Sequence, residues 1–412
     1  MSSTGNELKP RIGIFGRRNC GKSTLLNDLT GQPSSIVSHV PGTTTDAVRR
    51  SIELLGIGPV VLIDTPGFDD YGTLGSQRSA SAFATIDEVD LAILLFSRNL
   101  FSDIETDFIR RCQQAATPLL LIYSLSDAFP PNPHLLHDIS DRFALPVQRY
   151  SHTDATLLQP IIDSITLSIP ASAYRQPNIM SGLVSQGDTA VLVCPIDSEA
   201  PAGRLILPQV QVLRALLDLN ASAVVCQPDQ LPSSLQNLAT PPRLVITDSQ
   251  AFRTVAPLVP DSIFLTSFSI LLARAKGPFR YYLDSISAID RLAPGCRILM
   301  LESCTHTSNC DDIGRVKLPR LLQQHVGGPL HFEFLAAQSP LPDDLASYAL
   351  VIQCGGCVAT PKLINARLAH VISAHIPATN YGLALAHLSG ILPRATQIFR
   401  HAKFSRTFPS SD

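Results

Sequence analysis

The sequence has no excess of charge of either sign, and this balance argues against nucleic acid as a partner. Its 32 Lys and Arg residues against 34 Asp and Glu residues give a formal net charge of −2 at pH 7. Proteins that bind nucleic acid through its phosphates carry a basic face or tail. No stretch of that kind occurs in the chain, so we expect no nucleic-acid partner.

The sequence also lacks long apolar runs and a secretion signal. Its longer apolar runs, such as Leu91–Phe96, are far shorter than the about 20 residues that a transmembrane helix needs. The N-terminal stretch MSSTGNELKPR has no apolar segment of the kind found in signal peptides. We therefore expect a cytoplasmic protein without a membrane partner. Its nine cysteines, an odd number, are then expected to be thiols, some of them metal ligands, rather than a disulfide framework.

A phosphate-binding loop lies near the N-terminus. An apolar strand at residues 11–16 leads into GRRNCGKS at residues 16–23, a complete GxxxxGKS motif in the strand-loop-helix context that it requires. Glycines let backbone N–H groups surround the phosphates, Lys22 neutralises their charge, and the Ser23 hydroxyl ligates Mg²⁺. The predicted nucleotide-binding residues of this loop are Gly16, Asn19, Gly21, Lys22, Ser23 and Thr24.

Two further elements follow in the order that a GTPase requires. In the polar segment PGTTTD at residues 41–46, Thr44 is the predicted switch residue that closes on Mg²⁺ and the γ-phosphate. A buried strand at residues 60–63 ends in DTPG, where Asp64 would hold Mg²⁺ through water and the Gly67 N–H would contact the γ-phosphate. The predicted catalytic residues are Lys22, Thr44, Asp64 and Gly67.

These motifs resemble those of the translation-factor-like GTPases, especially the branch that includes the MnmE and Era types. In the MnmE branch, an asparagine at the fourth position of the phosphate loop helps to hold K⁺ against the phosphates. Asn19 occupies that position, so the resemblance implies activation by K⁺. The DTPG turn is followed by Phe68 rather than by the water-positioning glutamine of Ras-type enzymes.

The base-recognition motif departs from this family. The expected Asn-Lys-x-Asp after the strand at residues 119–123 is replaced by SLSD at residues 124–127. Asp127 alone can still accept hydrogen bonds from guanine, which preserves a preference for GTP and GDP. Ser151 and His152 are either the last guanine-contacting loop or a plain turn.

The composition divides the chain into three predicted α/β domains. Residues 168–187 are rich in Pro, Ser, Ala, Gln and Gly, which indicates a boundary. We predict a P-loop GTPase domain at residues 1–172, a small domain at residues 173–262 and a C-terminal domain with a parallel sheet at residues 263–412. Because the small domain has few charges and no catalytic group, it is more typical of an interface than of an enzyme.

Two groups of thiols lie after apolar strands of the C-terminal domain. The strand at residues 296–303 precedes Cys304 and His306, and the strand at residues 348–353 precedes Cys354 and Cys357. The carboxyl ends of parallel strands lie at one edge of a sheet, where open α/β sheets bind ligands. Three thiolates suit an iron–sulfur cluster better than a hard cation. Structural zinc remains the alternative.

Across nearly its whole length the chain resembles the HydF family of iron-iron hydrogenase maturation GTPases. The resemblance rests on the GTPase motifs, APAGRLILPQ at residues 200–209, TNYG at residues 379–382, and a Cys-x-His followed at long range by CxxC. It implies that the middle domain forms a homodimer and that the third binds a 4Fe-4S cluster and carries a di-iron precursor as cargo. Radical-SAM maturases would supply this precursor, and apo iron-iron hydrogenase would receive it. The predicted cluster ligands are Cys304, His306, Cys354 and Cys357.

One residue departs from the HydF pattern. Many members have His before the CxxC, where this chain has Gln353, a poor iron ligand. The fourth iron site is then open to His306, a carboxylate, water or the cargo, and Cys310 is an alternate thiol. Our leading hypothesis is a homodimeric scaffold that hydrolyses GTP slowly. The competing hypotheses are a tRNA-modification or ribosome-assembly GTPase with a C-terminal zinc site, and a dimeric signalling switch with an incidental CxxC.

Overall fold

The computed structural model describes most of the chain as two compact units, Met1–Gln176 and Pro177–Asp412. The residues that it describes are 9–30, 48–54, 57–68, 82–174, 178–196, 203, 205–303, 313–336, 339–357 and 359–400. Within them, no helix is both long enough and apolar enough to cross a lipid bilayer.

The first unit contains a six-stranded sheet flanked by helices. Its strand order is β2-β3-β1-β4-β5-β6, and every pairing is parallel except that of β2 with β3. The strands are β1 (Arg11–Gly16), β2 (Val48–Leu54), β3 (Gly58–Asp64), β4 (Leu91–Phe96), β5 (Leu119–Tyr123) and β6 (Val147–Arg149). The helices are α1 (Lys22–Thr30), α2 (Asp103–Gln114), α3 (Pro133–Phe143), α4 (Leu158–Ser168) and α5 (Ala171–Tyr174).

The sequence of the central strands explains why helices cover both faces of this sheet. All six residues of β4, LAILLF, are buried, as expected of a parallel strand that is covered on both sides. Along β1, Ile12 and Ile14 enter one hydrophobic core, whereas Phe15 enters the other, where its ring lies 4.7 Å from that of Phe108. The loops at the carboxyl ends of β1, β3 and β5 carry the predicted nucleotide-binding motifs.

The second unit contains two four-stranded sheets with only parallel pairings. Their strand orders are β10-β9-β7-β8 and β12-β11-β13-β14. The strands are β7 (Thr189–Val193), β8 (Ser222–Cys226), β9 (Leu244–Thr247), β10 (Phe264–Ser267), β11 (Arg297–Leu301), β12 (His331–Leu335), β13 (Leu350–Gln353) and β14 (Ala378–Asn380). The helices are α6 (Leu207–Asp218), α7 (Leu231–Gln236), α8 (Phe252–Val255), α9 (Phe268–Lys276), α10 (Phe279–Asp284), α11 (Leu318–Val326), α12 (Pro361–Ser373), α13 (Tyr381–Leu388) and α14 (Leu392–Arg400).

One hydrophobic core joins the two sheets of this unit. It includes Ile246 from the first sheet, Leu271 from α9 and Ile352 from the second sheet, all fully buried. Helix α14 returns from the end of the chain to pack against β10. The first sheet has a second core on its other face, around Val191 and Val245.

The α/β class, the P-loop domain and the parallel C-terminal sheet are confirmed. The pairing of β10 differs from the predicted arrangement, which placed this strand at the start of the C-terminal domain. It pairs with β9 from Phe264 to Ser267 and therefore belongs to the middle sheet. This favours a boundary after α9 rather than at residue 262, because a cut at 262 separates β10 from its partner strand. The predicted division at 172, 262 and 412 stays a prediction.

Candidate functional sites

The phosphate loop between β1 and α1 depends on three residues with positive φ. Gly16 and Gly21 have φ values of +142° and +89°, which residues with a Cβ rarely adopt. A Cβ on Gly16 would also lie 2.3 Å from the Leu95 carbonyl oxygen. Asn19 has φ 54°, and asparagine tolerates this left-handed conformation better than most residues. The sequence GRRNCG therefore specifies the path of the loop.

Lys22 is held above this loop by backbone carbonyl groups. Its Nζ donates hydrogen bonds of 2.9 Å to the Gly16 oxygen and 2.7 Å to the Arg17 oxygen. The ammonium group and the N-terminus of α1 thus lie side by side, which is an arrangement that binds phosphate. Ser23 and Thr24 follow in the first turn of α1, where Ser23 is exposed.

Arg17 within the loop is committed to a structural ion pair. Its Nε lies 2.7 Å from Glu105 Oε1, and its Nη2 donates to Ser102 Oγ at 2.7 Å. Burial opposes the ionisation of Glu105, but the hydrogen bonds from Arg17 and from the Ser102 backbone outweigh it and lower the pKa of this carboxyl. The ion pair fixes the loop against the start of α2.

Asp64 ends β3 beside the phosphate loop, in register with Ile14 of β1. Burial raises the pKa of Asp64, although the charges of Lys22 and Arg50 oppose the shift. A half-buried carboxyl at the end of this strand is suited to a cation that restores its charge. Gly67, the predicted γ-phosphate contact at the end of the DTPG turn, is half-buried.

Phe68 is buried and stacks on Phe108, with ring centroids 5.7 Å apart. Its side chain is thus part of the core and positions no water. Thr44, the predicted switch residue, lies outside the described residues.

Two serines hold the base-recognition loop where the expected Asn and Lys are missing. The Ser124 hydroxyl donates to the Cys20 carbonyl oxygen of the phosphate loop, and Ser126 Oγ donates to the Tyr150 carbonyl oxygen at 3.1 Å. Leu125 between them has φ 55°. The two serine hydroxyls thus tie this loop to the phosphate loop on one side and to the end of β6 on the other.

Asp127 and Ser151 are brought together at the other end of this loop. A hydrogen bond from Ser151 is the main cause that lowers the pKa of Asp127, and Thr153 Oγ1 donates to Asp127 Oδ2 at 3.2 Å. Asp127 is therefore held ionised as an acceptor. His152 turns instead toward α1, where its Nδ1 lies 2.9 Å from Asp28 Oδ2. Sequence reasoning missed Asp28, which no motif marks.

The CxxC lies where the second sheet of the C-terminal unit brings two strand ends together. Strands β11 and β13 are parallel neighbours, with Leu301 opposite Gln353. Cys354 Sγ accepts a hydrogen bond of 3.1 Å from the Ser303 backbone N–H and one of 3.4 Å from the Gly356 N–H. Such N–H donors stabilise a thiolate or the sulfur ligand of a cluster. Cys304 and His306, which follow Ser303 in the sequence, and Cys310 lie outside the described residues.

A buried lysine supports the CxxC loop. Lys276, at the end of α9, is 5% exposed, and its Nζ donates to the carbonyl oxygens of Gly356 (2.9 Å), Cys357 (3.0 Å) and Ala359 (3.1 Å). Gly356 has φ +64°, which the turn between the two cysteines requires. Sequence reasoning missed Lys276, because only the fold brings it to a loop some 80 residues away.

Gln353 uses its amide nitrogen to join the two strand ends. It is 1% exposed, and its Nε2 donates to Ser303 Oγ at 2.9 Å and to the Leu301 oxygen at 3.3 Å. Within the described part of the chain, its Oε1 has no hydrogen-bond partner. Asn380, at the end of β14, also binds this region by donating to the carbonyl oxygens of Gln353 and Cys354, both at 3.2 Å.

Three family models match consecutive parts of the chain. The 50S ribosome-binding GTPase model matches residues 11–124, the hydrogen maturase F dimerization domain matches residues 179–277, and the hydrogen maturase F tetramerization domain matches residues 280–398. The two maturase models together cover more than half of the sequence. Both describe self-association domains.

The curated relatives match the GTPase unit. The tRNA modification GTPase MnmE of Nitrosomonas europaea is 36% identical over 143 residues, which are 34% of this chain and 31% of that protein. GTPase Era of Ruminiclostridium cellulolyticum is 38% identical over 28% of this chain and 39% of its own length. The chain thus spans well under half the length of these relatives. Among solved structures, that of Aquifex aeolicus Era bound to GDP.AlF4- matches 39% of this chain and 56% of its own, with 23% identity and a TM-score of 0.34.

Proposed function

The chain belongs to the hydrogen maturase F family, and we propose that it is a GTP-hydrolysing scaffold that holds a 4Fe-4S cluster during the maturation of iron-iron hydrogenase. The observation that carries the cluster assignment is the environment of Cys354. Backbone N–H groups from both strand ends donate to its sulfur, as expected for a thiolate ligand rather than for a core cysteine.

The nucleotide half of the proposal assigns GTP and GDP to the loop between β1 and α1. Backbone N–H groups from Gly16 to Thr24 and the Lys22 ammonium bind the phosphates. Ser23 and Thr44 hold Mg²⁺, Asp64 acts through water, and the Gly67 N–H contacts the γ-phosphate. Asp127 recognises guanine. These roles are supported by the positive-φ loop and by the Lys22 charge near the half-buried Asp64 carboxyl.

Asn19 is the proposed K⁺ ligand, and the chain offers a sharp test of this role. Because Gly adopts φ 54° at least as readily as Asn, Asn19→Gly keeps the loop conformation and removes only the amide. GTP hydrolysis should be several-fold faster in K⁺ than in Na⁺ for the wild type and equal in the two salts for Asn19→Gly. Equal rates for the wild type would reject the K⁺ assignment.

The cluster half assigns Cys304, Cys354 and Cys357 as iron ligands and leaves the fourth iron site to His306, a carboxylate, water or the cargo. The Gln353 side chain fits a supporting role, because its Nε2 already joins β11 and β13 and lies 3.5 Å from Cys354 Sγ. A cluster bound here would supply an iron site with an exchangeable position. Such a position is what a carrier of a di-iron cargo requires.

The remaining parts of the proposal concern partners. Self-association through the dimerization and tetramerization domains would build a homodimer or a larger assembly in the cytoplasm. Radical-SAM maturases would load the di-iron precursor, and apo iron-iron hydrogenase would receive it. Co-expression with apo-hydrogenase and measurement of hydrogenase activity tests this step.

Anaerobic reconstitution with iron and sulfide tests the cluster. We expect the visible and EPR spectra of a 4Fe-4S cluster in the wild type and their loss in Cys354→Ser and Cys357→Ser. Cys296→Ser is the matched control, since Cys296 is a half-buried free thiol before β11 in the same sheet. If the wild type shows no such spectrum, or if the two ligand variants retain it, the cluster assignment fails.

A GTPase of tRNA modification or ribosome assembly is the second candidate. It is favoured by the identity to MnmE and by the 50S ribosome-binding GTPase model, which ends at residue 124. This function predicts that RNA copurifies with the protein and that the CxxC binds zinc. Purified protein with iron and without RNA would reject it.

A further inference from the structure

Three potential metal ligands meet on the C-terminal unit, outside both sites described above. His325 Nε2 and His387 Nε2 lie 3.0 and 2.9 Å from the same oxygen, Asp290 Oδ1. Asp290 belongs to the short 3-10 helix Ile286–Arg291, His325 to the last turn of α11 and His387 to the last turn of α13. Residues up to 97 positions apart thus converge on one carboxylate.

The geometry of this cluster is close to that of a coordination sphere. One ligand atom from each of the three residues lies within 4.8 Å of the other two. Bonds of about 2.0 to 2.1 Å to a tetrahedral zinc ion place ligand atoms about 3.3 Å apart. The 2.9 and 3.0 Å contacts need only a few tenths of an ångström of expansion to admit an ion. The two rings are not parallel, with an interplanar angle of 65°, so each presents its nitrogen from a different direction.

The cluster combines rigid supports with accessible ligand atoms. The side chains of Asp290, His325 and His387 are 50%, 38% and 20% exposed. The helices that carry the two histidines are anchored in the core, α11 through Leu322 and α13 through Leu383. An ion can therefore reach the site, and its remaining coordination positions face water.

We propose that Asp290, His325 and His387 bind a divalent transition-metal ion of the zinc class, with three protein ligands and an open coordination position. Two imidazoles and one carboxylate suit Zn²⁺ and Fe²⁺, and they disfavour the hard cations Mg²⁺ and Ca²⁺. The site shares no residue with the thiolate site, so it binds metal whether or not the 4Fe-4S cluster is present. A bound ion would link three elements of the domain that the tetramerization model matches.

Cobalt provides a probe that separates this site from the cysteines. Tetrahedral Co²⁺ bound to nitrogen and oxygen gives visible d–d bands, whereas thiolate ligation adds intense charge-transfer bands in the near ultraviolet. Co²⁺ is titrated into the full chain with its 4Fe-4S cluster reconstituted, and difference spectra against the cobalt-free sample remove the absorption of the cluster itself. These difference spectra should show d–d bands and no added charge-transfer bands. Asp290→Asn and His325→Ala should remove them. His370→Ala is the control, because His370 is exposed on α12 and lies outside the cluster.

Zinc provides a second readout that does not depend on cobalt spectra. At about 100-fold excess over Kd, Zn²⁺ should raise the melting temperature of the C-terminal unit by roughly 5 °C or more. Asp290→Asn nearly preserves the size of the side chain, so a metal-free melting curve checks that this variant is folded. A zinc-induced shift that survives in Asp290→Asn and in His325→Ala, or no shift in the wild type, would overturn the proposal and leave a hydrogen-bonded cluster only.

Discussion

The nucleotide site and the thiolate site are assembled in opposite ways. The phosphate loop is a contiguous segment of the chain, whose shape follows from Gly16, Asn19 and Gly21 at positive φ. The CxxC loop takes its support from distant segments, because Ser303 and Lys276 lie 51 and 81 residues from the cysteines that they contact. The path of the phosphate loop is therefore set mainly by its own residues, and the bonds of Arg17 to Glu105 and of Ser124 to Cys20 then fix it to the rest of the unit. The CxxC loop takes its shape only when the two sheets of the C-terminal unit have packed together.

The two sites also differ in the role of their positively charged side chains. In the GTPase unit, Arg17 pairs with the buried Glu105, and Lys22 rests on carbonyl groups from which a phosphate can draw it. In the C-terminal unit, Lys276 is fixed on three carbonyls. The first arrangement is suited to an exchangeable anion, and the second to a loop that keeps its shape.

Removal of Lys22 should separate the two sites most clearly. We expect Lys22→Ala to reduce GTP hydrolysis by roughly 100-fold or more, because the variant loses the charge that stabilises the transferring phosphoryl group. The cluster spectrum should be unchanged. Phosphate release and the visible spectrum are measured on the same sample, with Arg110→Ala as a control on an exposed side chain of α2. A cluster lost together with hydrolysis would contradict the independence of the two sites.

The contrast between the sites explains how far sequence reasoning reached. The α/β class, the phosphate loop and the strand ends that carry the thiols follow from local patterns, namely apolar runs that end in Gly-rich or Cys-containing turns. Lys276, Asp28 and the Asp290 cluster carry no local pattern. Their significance comes from tertiary packing, in which α9, α1 and three separate elements of the C-terminal unit bring them to their partners. The pairing of β10 with the middle sheet was missed for the same reason, because composition marks linkers and not strand partners.

Lys276 should be the residue on which the shape of the CxxC loop depends most. Lys276→Met leaves three carbonyl groups without their common donor, and we expect it to lower the free energy of unfolding of the C-terminal unit by about 2 to 4 kcal/mol. Thermal unfolding and the iron content after reconstitution measure the effect. Lys317→Met is the matched control, since among the described residues Lys317 donates one bond, of 2.8 Å, to Gln250. Equal losses in the two variants would show that Lys276 has no special role.

Arg367 tests the electrostatics of the thiolate site. It is 7% exposed, and among the described residues no acceptor faces its Nε and Nη2. Burial lowers the pKa of Arg367 to about 10, and the negative charge of Cys354 opposes this shift. Because it is costly to bury a guanidinium whose Nε and Nη2 have no acceptor among the described residues, Arg367→Met should stabilise the metal-free protein by about 1 kcal/mol or more. It should also lower the reduction potential of a reconstituted cluster, since a nearby positive charge is lost.

The two readouts for Arg367 distinguish a functional charge from a structural one. A stabilised protein with an unchanged potential would mean that the guanidinium does not act on the cluster. A destabilised protein would mean that the guanidinium is paired in solution. Potentiometric titration and thermal unfolding are carried out on Arg367→Met and on the control Arg400→Met, which changes a residue in the last turn of α14.

The smallest expected effect concerns His152 of the GTPase unit. The hydrogen bond and charge of Asp28 raise the pKa of His152 above its ordinary value of 6.5. Because the folded state binds the proton more tightly, this pair stabilises the unit below pH 6.5, and the contribution is lost as pH rises through the folded-state pKa.

Asp28→Asn should return the His152 pKa toward 6.5, with little change in stability, since exposed pairs are weak. NMR titration of the imidazole measures this shift, and the exposed His134 on α3 is the internal control. An unchanged His152 pKa in Asp28→Asn would mean that His152 does not bind Asp28 in solution. Hydrogen bonds that link Ser151, Thr153 and Asp127 would still support this turn.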